Sequence, residues 1–376
     1  MSADYDSVIF NCSCGYGMEM QSRCGPFRVM ARYDPAEVPP GIAKDLKGKT
    51  VTCSLCGKRW MLQSDYRYTV TMRKQEIAEA RNKGGRMNCF GPTKFLGKCV
   101  RGRDAKIISC VPCGFKHLHP KPTEEELREY YKQEYFGKEK SDYSAEHNTI
   151  DPYWQMVYWE QCEALGSWSN LRKPMWKLLD VGCGRDPVFL RYALKHGQAA
   201  PSCSTGMDPS LEEKTDLVCT SWEEVDQRGH DWNLVNLGFV LEHAANPCEV
   251  LYNCWSRLEL GGRLLVEVPF DYNPVQAHRP SGMPPWWVST PDHINYFTPE
   301  SLKGLLRRCG FWCKLERTTY PVELLKLHGY DYSTDSSVGP QLNERRSHLQ
   351  EFWRDSGMSQ QTTIGRTVWI IAEKIA

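Results

Sequence analysis

The sequence predicts an α/β chain: an open, mostly parallel, doubly wound sheet preceded by a cysteine-rich region. Three observations predict it. From about residue 175 to the end, apolar strand-like runs alternate with helical patterns, the mark of βα units with helices on both faces of a sheet. The strand-like run Leu178-Leu179-Asp180-Val181 leads straight into the glycine turn 182–184, as the first strand of a ligand-binding sheet does. Nine of the 17 cysteines lie before residue 114, several in short pairs, the spacing of metal ligands.

Taken in order, residues 1–120 form the cysteine-rich, turn-rich region, with short strand-like runs such as 69–72. Residues 121–172 form a helical connector. Thr123 with Glu126 three residues on is a capping box, and Trp154 to Leu165 is a second helix rich in aromatic residues. Residues 173–376 form the sheet domain. Strands are expected at 176–181, 204–207, 217–219, 232–237, 263–268, 311–316 and 367–373. Helices are expected at 188–195, around Trp222, from Pro247 behind an Asn246 cap, and from Pro299 behind Thr298 to Cys309. Residues 333–347 are polar and read as a surface insertion with a short helix after it.

Composition narrows the class. Apolar residues are 41% and charged residues 25% of the 376, the mix of a soluble globular protein. No apolar run approaches the ~20 residues that span a bilayer, and the acidic start is unlike a signal peptide. A cytoplasmic protein is expected, in the host cytoplasm if the source is viral. Thiols stay reduced there, so a disulfide framework is a poor reading. The later Cys162, Cys203, Cys248, Cys254 and Cys309 read as small buried hydrophobes. A net charge of +1 excludes a strong overall bias to nucleic acid and leaves a local basic patch open.

The turn Gly182-Cys183-Gly184-Arg185-Asp186-Pro187 lacks the third glycine of a dinucleotide fingerprint, with Pro187 in its place. A cationic ligand without phosphate fits better. Asp180 puts a carboxylate at the mouth of the turn, and Gly182 and Gly184 let the backbone approach a ligand. Asp208 ends the next strand and is suited to a pair of ribose hydroxyls. Both acids fall at carboxyl ends of strands, where ligands bind in such sheets.

These residues resemble the class I methyltransferases. Asp180-Val181-Gly182-Cys183-Gly184 is similar to their first motif. Asn236-Leu237-Gly238-Phe239-Val240-Leu241-Glu242-His243 is similar to the motif after strand four, and 258–264 to the turn before strand five, with Leu260 where proline is usual. Asp186 departs from the first motif, where a glycine is usual. The resemblance covers about 175–316 plus the last strand. It implies a Rossmann-like fold and S-adenosylmethionine as cofactor. It also implies that Ser221 and Trp222 lie beside the adenine, and that the backbone at Leu237 and Gly238 faces the methionine part. Trp222 reads equally as a core aromatic.

The long stretch 269–297 after strand five, with Trp286 and Trp287, is of a length that is usually functional. Its run Asp292-His293-Ile294-Asn295-Tyr296-Phe297 is similar to a methyltransferase subgroup that includes sugar C-methyltransferases and glycan-associated enzymes. The resemblance implies a histidine, a neighbouring acid and a tyrosine at the acceptor. Methyl transfer to oxygen or carbon needs a proton removed, so His293 is the candidate base, Asp292 its partner and Tyr296 an acceptor contact. The alternative is that His293 fixes the loop. His243 is the second candidate base.

Cys53-x-x-Cys56-Gly57 is a zinc knuckle with Cys12 and Cys14 as expected partners, or Cys24 as substitute. Cys110-x-x-Cys113-Gly114 is a second, with Cys89 and Cys99 as partners or His117 in place of one. The second knuckle and the following 120–131 are similar to the zinc-binding lead-in of the same subgroup, which there completes the acceptor pocket.

The expectation is therefore a methyltransferase that uses S-adenosylmethionine and a zinc-bound lead-in, acting on a small-molecule or glycan-like acceptor. A nucleic-acid or protein acceptor gripped by the zinc region is one alternative, since Lys98, Arg101, Arg103, Lys106 and Lys116 make it locally basic. A non-catalytic zinc-binding assembly protein is another, resting on Asp186.

Overall fold

The computed structural model describes residues 6–11, 17–22, 28–33, 50–52, 59–61, 93–98, 104–110, 113–131, 152–167, 175–278, 287–288, 292–329 and 339–375. Cys12, Cys14, Cys24, Cys53, Cys56, Cys89, Cys99, Trp286 and the run 69–72 lie outside them.

The described strands and helices come in this order. β1 (Asp6–Asn11), β2 (Gly17–Ser22) and β3 (Arg28–Tyr33) form an antiparallel sheet, and β4 (Thr50–Thr52) pairs with β5 (Arg59–Met61). Next come β6 (Thr93–Lys98), β7 (Asp104–Ser109), β8 (Lys116–His119), α1 (Glu124–Tyr130) and α2 (Pro152–Ser167). The sheet domain follows with β9 (Leu178–Val181), α3 (Val188–Lys195), β10 (Thr205–Met207), β11 (Val218–Cys219), α4 (Trp222–Arg228), β12 (Trp232–Gly238), α5 (Pro247–Arg257) and β13 (Leu258–Pro269). It ends with α6 (Pro274–Ala277), β14 (Asn295–Tyr296), α7 (Pro299–Arg308), β15 (Phe311–Thr318), α8 (Glu323–Leu327), α9 (Gly339–Asp355) and β16 (Thr367–Lys374).

The main sheet has seven strands in the order β11-β10-β9-β12-β13-β16-β15. Neighbours from β11 to β13 run parallel, and β16 is antiparallel to both β13 and β15. Strand order reverses between β9 and β12, which opens a ligand crevice at their carboxyl ends.

Alternation along the strands builds a core on each face. Leu179, Val235, Leu264 and Ile370 pack with Leu251, Cys254, Leu302 and Leu305 of α5 and α7. Leu178, Leu234, Leu265 and Ile371 pack with Val157, Cys162, Phe189 and Leu190 of α2 and α3. Buried apolar side chains of this size contribute ~1.5–3 kcal/mol each.

The local signals hold in most places. Thr123 and Glu126 close the capping box of α1. Thr298 caps α7 with Ser301 at the third position. Three expectations are corrected. Asn246 stands at the cap position of α5, but its side chain makes no cap bond, because its Nδ2 turns to Glu249 Oε2 at 3.4 Å. The polar stretch expected as an insertion at 333–347 is helical from Gly339 on: the 17-residue α9 starts inside it and anchors to α2 through Gln350 Nε2 donating to Glu160 Oε2 at 3.1 Å. Of the scattered cysteines, Cys162 and Cys254 are buried and Cys248 and Cys309 partly so. Cys203 is exposed, in a turn that enters β10.

The last strand of the cysteine-rich region joins a four-stranded sheet in the order β14-β8-β7-β6. β8 pairs with β14, Asn295 opposite His117 and Tyr296 opposite Lys116. The segment named from the sequence as the acceptor side is thus a strand of the cysteine region's sheet. Ile107, Leu118, Leu127, Tyr130, Ile294 and Tyr296 bury together behind this seam.

Candidate functional site

At the carboxyl edge of the main sheet the glycine turn and two acids meet. Asp180 is buried at the end of β9. Asn236 Nδ2 donates to its Oδ1 at 2.7 Å and the Leu190 N–H to its Oδ2 at 3.2 Å. Burial pushes its pKa up to about 6, against those two bonds. Asp208, at the end of β10, accepts from the Gly184 N–H at 2.7 Å and the Ser210 N–H at 2.9 Å. Gly182 and Gly184 both sit at φ +67°, a region that favours glycine. A Cβ on Gly182 would lie 2.5 Å from Val240 Cγ2, whereas one on Gly184 would meet nothing within 4 Å. The first glycine therefore serves packing against the loop after β12, and the second faces open space.

Asp186 is half exposed and pairs with Arg191 of α3 at 2.7 Å. Ser221 is the N-cap of α4, accepting from the Glu224 N–H at 3.3 Å. The Trp222 ring, beside the core, lies under Arg257 at 4.6 Å. Leu237 is buried in the core and Gly238 ends β12.

The acceptor-side residues gather around the turn after β12. Asp292 lies between two imidazoles. Its Oδ1 is 3.0 Å from His243 Nδ1, and its Oδ2 is 3.9 Å from His293 Nε2. The rings of His243 and His293 meet edge to face at 4.9 Å. Tyr131 OH donates to Asp292 Oδ1 at 3.4 Å. Tyr296 is 2% exposed and its OH donates to the His293 carbonyl at 2.8 Å, so the phenol is occupied in holding the loop. The turn is pinned by Asn295 Nδ2, which donates to the carbonyls of Leu241 and Ala244 at 2.8 and 2.7 Å.

Charge follows this geometry. Burial works against a charged His243, but the Asp292 carboxylate, its hydrogen bond and Glu242 outweigh burial and raise the pKa to about 9. Burial also pushes the Glu242 carboxyl up to about 7, with His243 pulling the other way. Asp271, just past β13, is buried and pushed up to about 8 by desolvation.

Cys110, Cys113 and His117 offer ligand atoms within 4.8 Å of one another, all three residues buried. His117 Nδ1 bonds the Leu118 carbonyl at 2.7 Å. Its Nε2 is buried with no hydrogen-bond partner among the described residues. With the proton on Nδ1, Nε2 is a ready ligand, and burial first, then Lys121, lowers the ring's pKa to about 4. The donor set fits zinc.

Four residues stand in motifs legible in the sequence, but their contacts were not: Asn236 on Asp180, Val240 against Gly182, Tyr131 on Asp292, and the place of Glu242 beside both histidines. Asn236 had a signal, a polar side chain inside a buried parallel strand. For Tyr131 and Val240 the motifs gave the region but not the partner, since those contacts depend on the tertiary fold.

Residues 140–314 match the family described as Methyltransferase domain. Among solved structures, the chain is similar to an S-adenosylmethionine-dependent methyltransferase from Archaeoglobus fulgidus. Identity is 23%, with 58% of this chain and 94% of that one covered and a TM-score of 0.36. One from Listeria monocytogenes has 14% identity, 58% and 98% coverage and a TM-score of 0.35. The plantazolicin methyltransferase BpumL, in complex with SAH, has 15% identity, 66% and 94% coverage and a TM-score of 0.38. No curated protein matches. No helix among the described residues is long and apolar enough to cross a membrane.

Proposed function

We propose that this chain transfers the methyl group of S-adenosylmethionine to a small-molecule or glycan-like acceptor, on oxygen or carbon. One observation carries the reading. Within a stretch that matches a methyltransferase domain, Asp180 and Asp208 end adjacent strands with the Gly182–Gly184 turn between them. Bound there, S-adenosylmethionine supplies a methyl group on a sulfonium whose sulfur leaves with the bonding electron pair.

The chain's residues do the rest. Asp180 balances the cofactor's positive charge at the mouth of the turn. Asp208 receives the ribose, with Gly182 and Gly184 giving close backbone approach. Ser221 and Trp222 flank the adenine, and the backbone at Leu237 and Gly238 borders the methionine part. At the acceptor end His293 takes the acceptor's proton, Asp292 balances its charge, and Tyr296 fixes the segment that carries both. Positioning and proton removal together supply the rate.

The domain division into 1–120, 121–172 and 173–376 is part of this reading. The cysteine region completes the acceptor side. Cys110 and Cys113, with Cys89 and Cys99 or with His117 in place of one of these two, hold a structural zinc. Cys12, Cys14, Cys53 and Cys56 hold a second. The pairing of β8 with β14 supports this role. The outward turn of Asp186 to Arg191 supports an active cofactor site over a degenerate one.

The test is a screen with methyl-labelled S-adenosylmethionine, starting with nucleotide sugars. Label in one acceptor, with stoichiometric S-adenosylhomocysteine, is expected. Label only in nucleic acid, with steeply salt-dependent binding, would transfer the reading to that acceptor.

A further inference from the structure

Glu242, His243 and His293 each present a ligand atom, all within 4.8 Å of one another. Glu242 closes the turn after β12. It is 1% exposed, and neither carboxylate oxygen receives a hydrogen bond among the described residues. Burying a carboxylate that way is costly and calls for a specific partner. The facing positive group is His243 Nε2, at 3.8 Å from Oε1, too far for a hydrogen bond.

His243 is held by its other nitrogen. Nδ1 lies 3.0 Å from the Asp292 carbonyl and 3.0 Å from its Oδ1. With Nδ1 turned to Asp292, Nε2 is the atom that faces Glu242, and a cation bound there takes the place of the Nε2 proton. This is the arrangement in which a second carboxylate orients a metal-ligating histidine. The third group is carried by a rigid neighbour. The Ile294 and Asn295 N–H groups donate to the Glu242 carbonyl at 2.8 and 2.9 Å, fixing the segment with His293 to the turn with Glu242.

We infer that Glu242, His243 and His293 form a divalent-cation site at the acceptor end, and that the methylated atom is a hydroxyl oxygen facing the ion. Two imidazoles and one carboxylate suit first-row cations such as Mn²⁺ or Fe²⁺ and leave coordination positions open. Adjacent ligands of one ion at ~2.1 Å lie roughly 3 Å apart, so modest side-chain rotation closes the set. The inference rests on the methyltransferase reading and recasts His293 as a ligand rather than the proton acceptor. The ion stabilises negative charge on the oxygen. The O–H bond breaks with its proton going to solvent, and the oxygen forms a bond to the methyl carbon. The methyl–sulfur bond breaks with its electron pair left on sulfur.

The test titrates Mn²⁺ alone into the full-length zinc-loaded chain and follows the free ion by electron paramagnetic resonance. One bound ion per chain is expected, with couplings from two imidazole nitrogens. Glu242→Gln should weaken binding at least tenfold, and His293→Gln should remove one coupling. S-adenosylmethionine titrated into the same samples shows that each variant keeps its cofactor site. Absence of Mn²⁺ binding in protein that binds S-adenosylmethionine would overturn the cation site and leave the methyltransferase reading standing. Binding that neither variant alters would overturn it as well. Failure to bind S-adenosylmethionine alone would overturn the methyltransferase reading instead.

Discussion

His117 and Asn295 face each other across the antiparallel pair of β8 and β14, both fully buried. A candidate zinc ligand therefore abuts the strand that follows His293. Cys113→Ala should reduce bound zinc and speed amide exchange at Ile294 and Tyr296 at least tenfold, because metal binding and local folding are coupled. Affinity for S-adenosylmethionine should change less than twofold, since Asp180 and Asp208 lie on other strands. Unchanged exchange would separate the metal from the acceptor side.

Gly182→Ala should damage both stability and cofactor binding. Its Cβ would fall 2.5 Å from Val240 Cγ2 at φ +67°. Overpacking and the left-handed backbone together cost about 2–4 kcal/mol. Thermal unfolding and calorimetry should show a lower Tm and an affinity reduced at least tenfold. Wild-type values in both would contradict the packing described.

The pH dependence of cofactor affinity should report Asp180. Burial raises its pKa to about 6, and a cationic ligand favours the ionised form. Affinity should be flat above about pH 7 and fall up to tenfold per unit below pH 6. Calorimetry between pH 5 and 8 checks this, and a flat profile would contradict it.

Glu267 lies buried in β13, where Gln161 Nε2 at 2.6 Å and Thr367 Oγ1 at 2.7 Å contact its carboxyl. Burial raises its pKa from 4.5 to about 7. A carboxyl raised on folding binds its proton more tightly in the native state, so its contribution declines as pH rises from about 4.5 to 7. The decline is at most ~3 kcal/mol. Glu267→Gln should remove that slope and raise stability at pH 8, as denaturant unfolding at pH 5 and 8 would show.

Much of this site is written locally. Asp180, Gly182, Gly184 and Asp208 are recognisable because strand, turn and acid follow one another within a short stretch, and the structure gathers them at one edge. Helices announced by Thr123 and Thr298 appear where the caps stand. The acceptor side was legible in residue type but not in pairing. Asp292 follows sequence order to His293, yet the fold sets its carboxylate nearer His243, on a different loop. Nor could spacing reveal that β14 joins the cysteine region's sheet, because that pairing spans nearly half the chain.

The most direct measurement is calorimetric titration of the zinc-loaded protein with S-adenosylmethionine beside an Asp180→Ala control. The account predicts one site of micromolar or tighter affinity, lost in the variant. Absence of binding in a folded sample, or equal binding in both proteins, would contradict it.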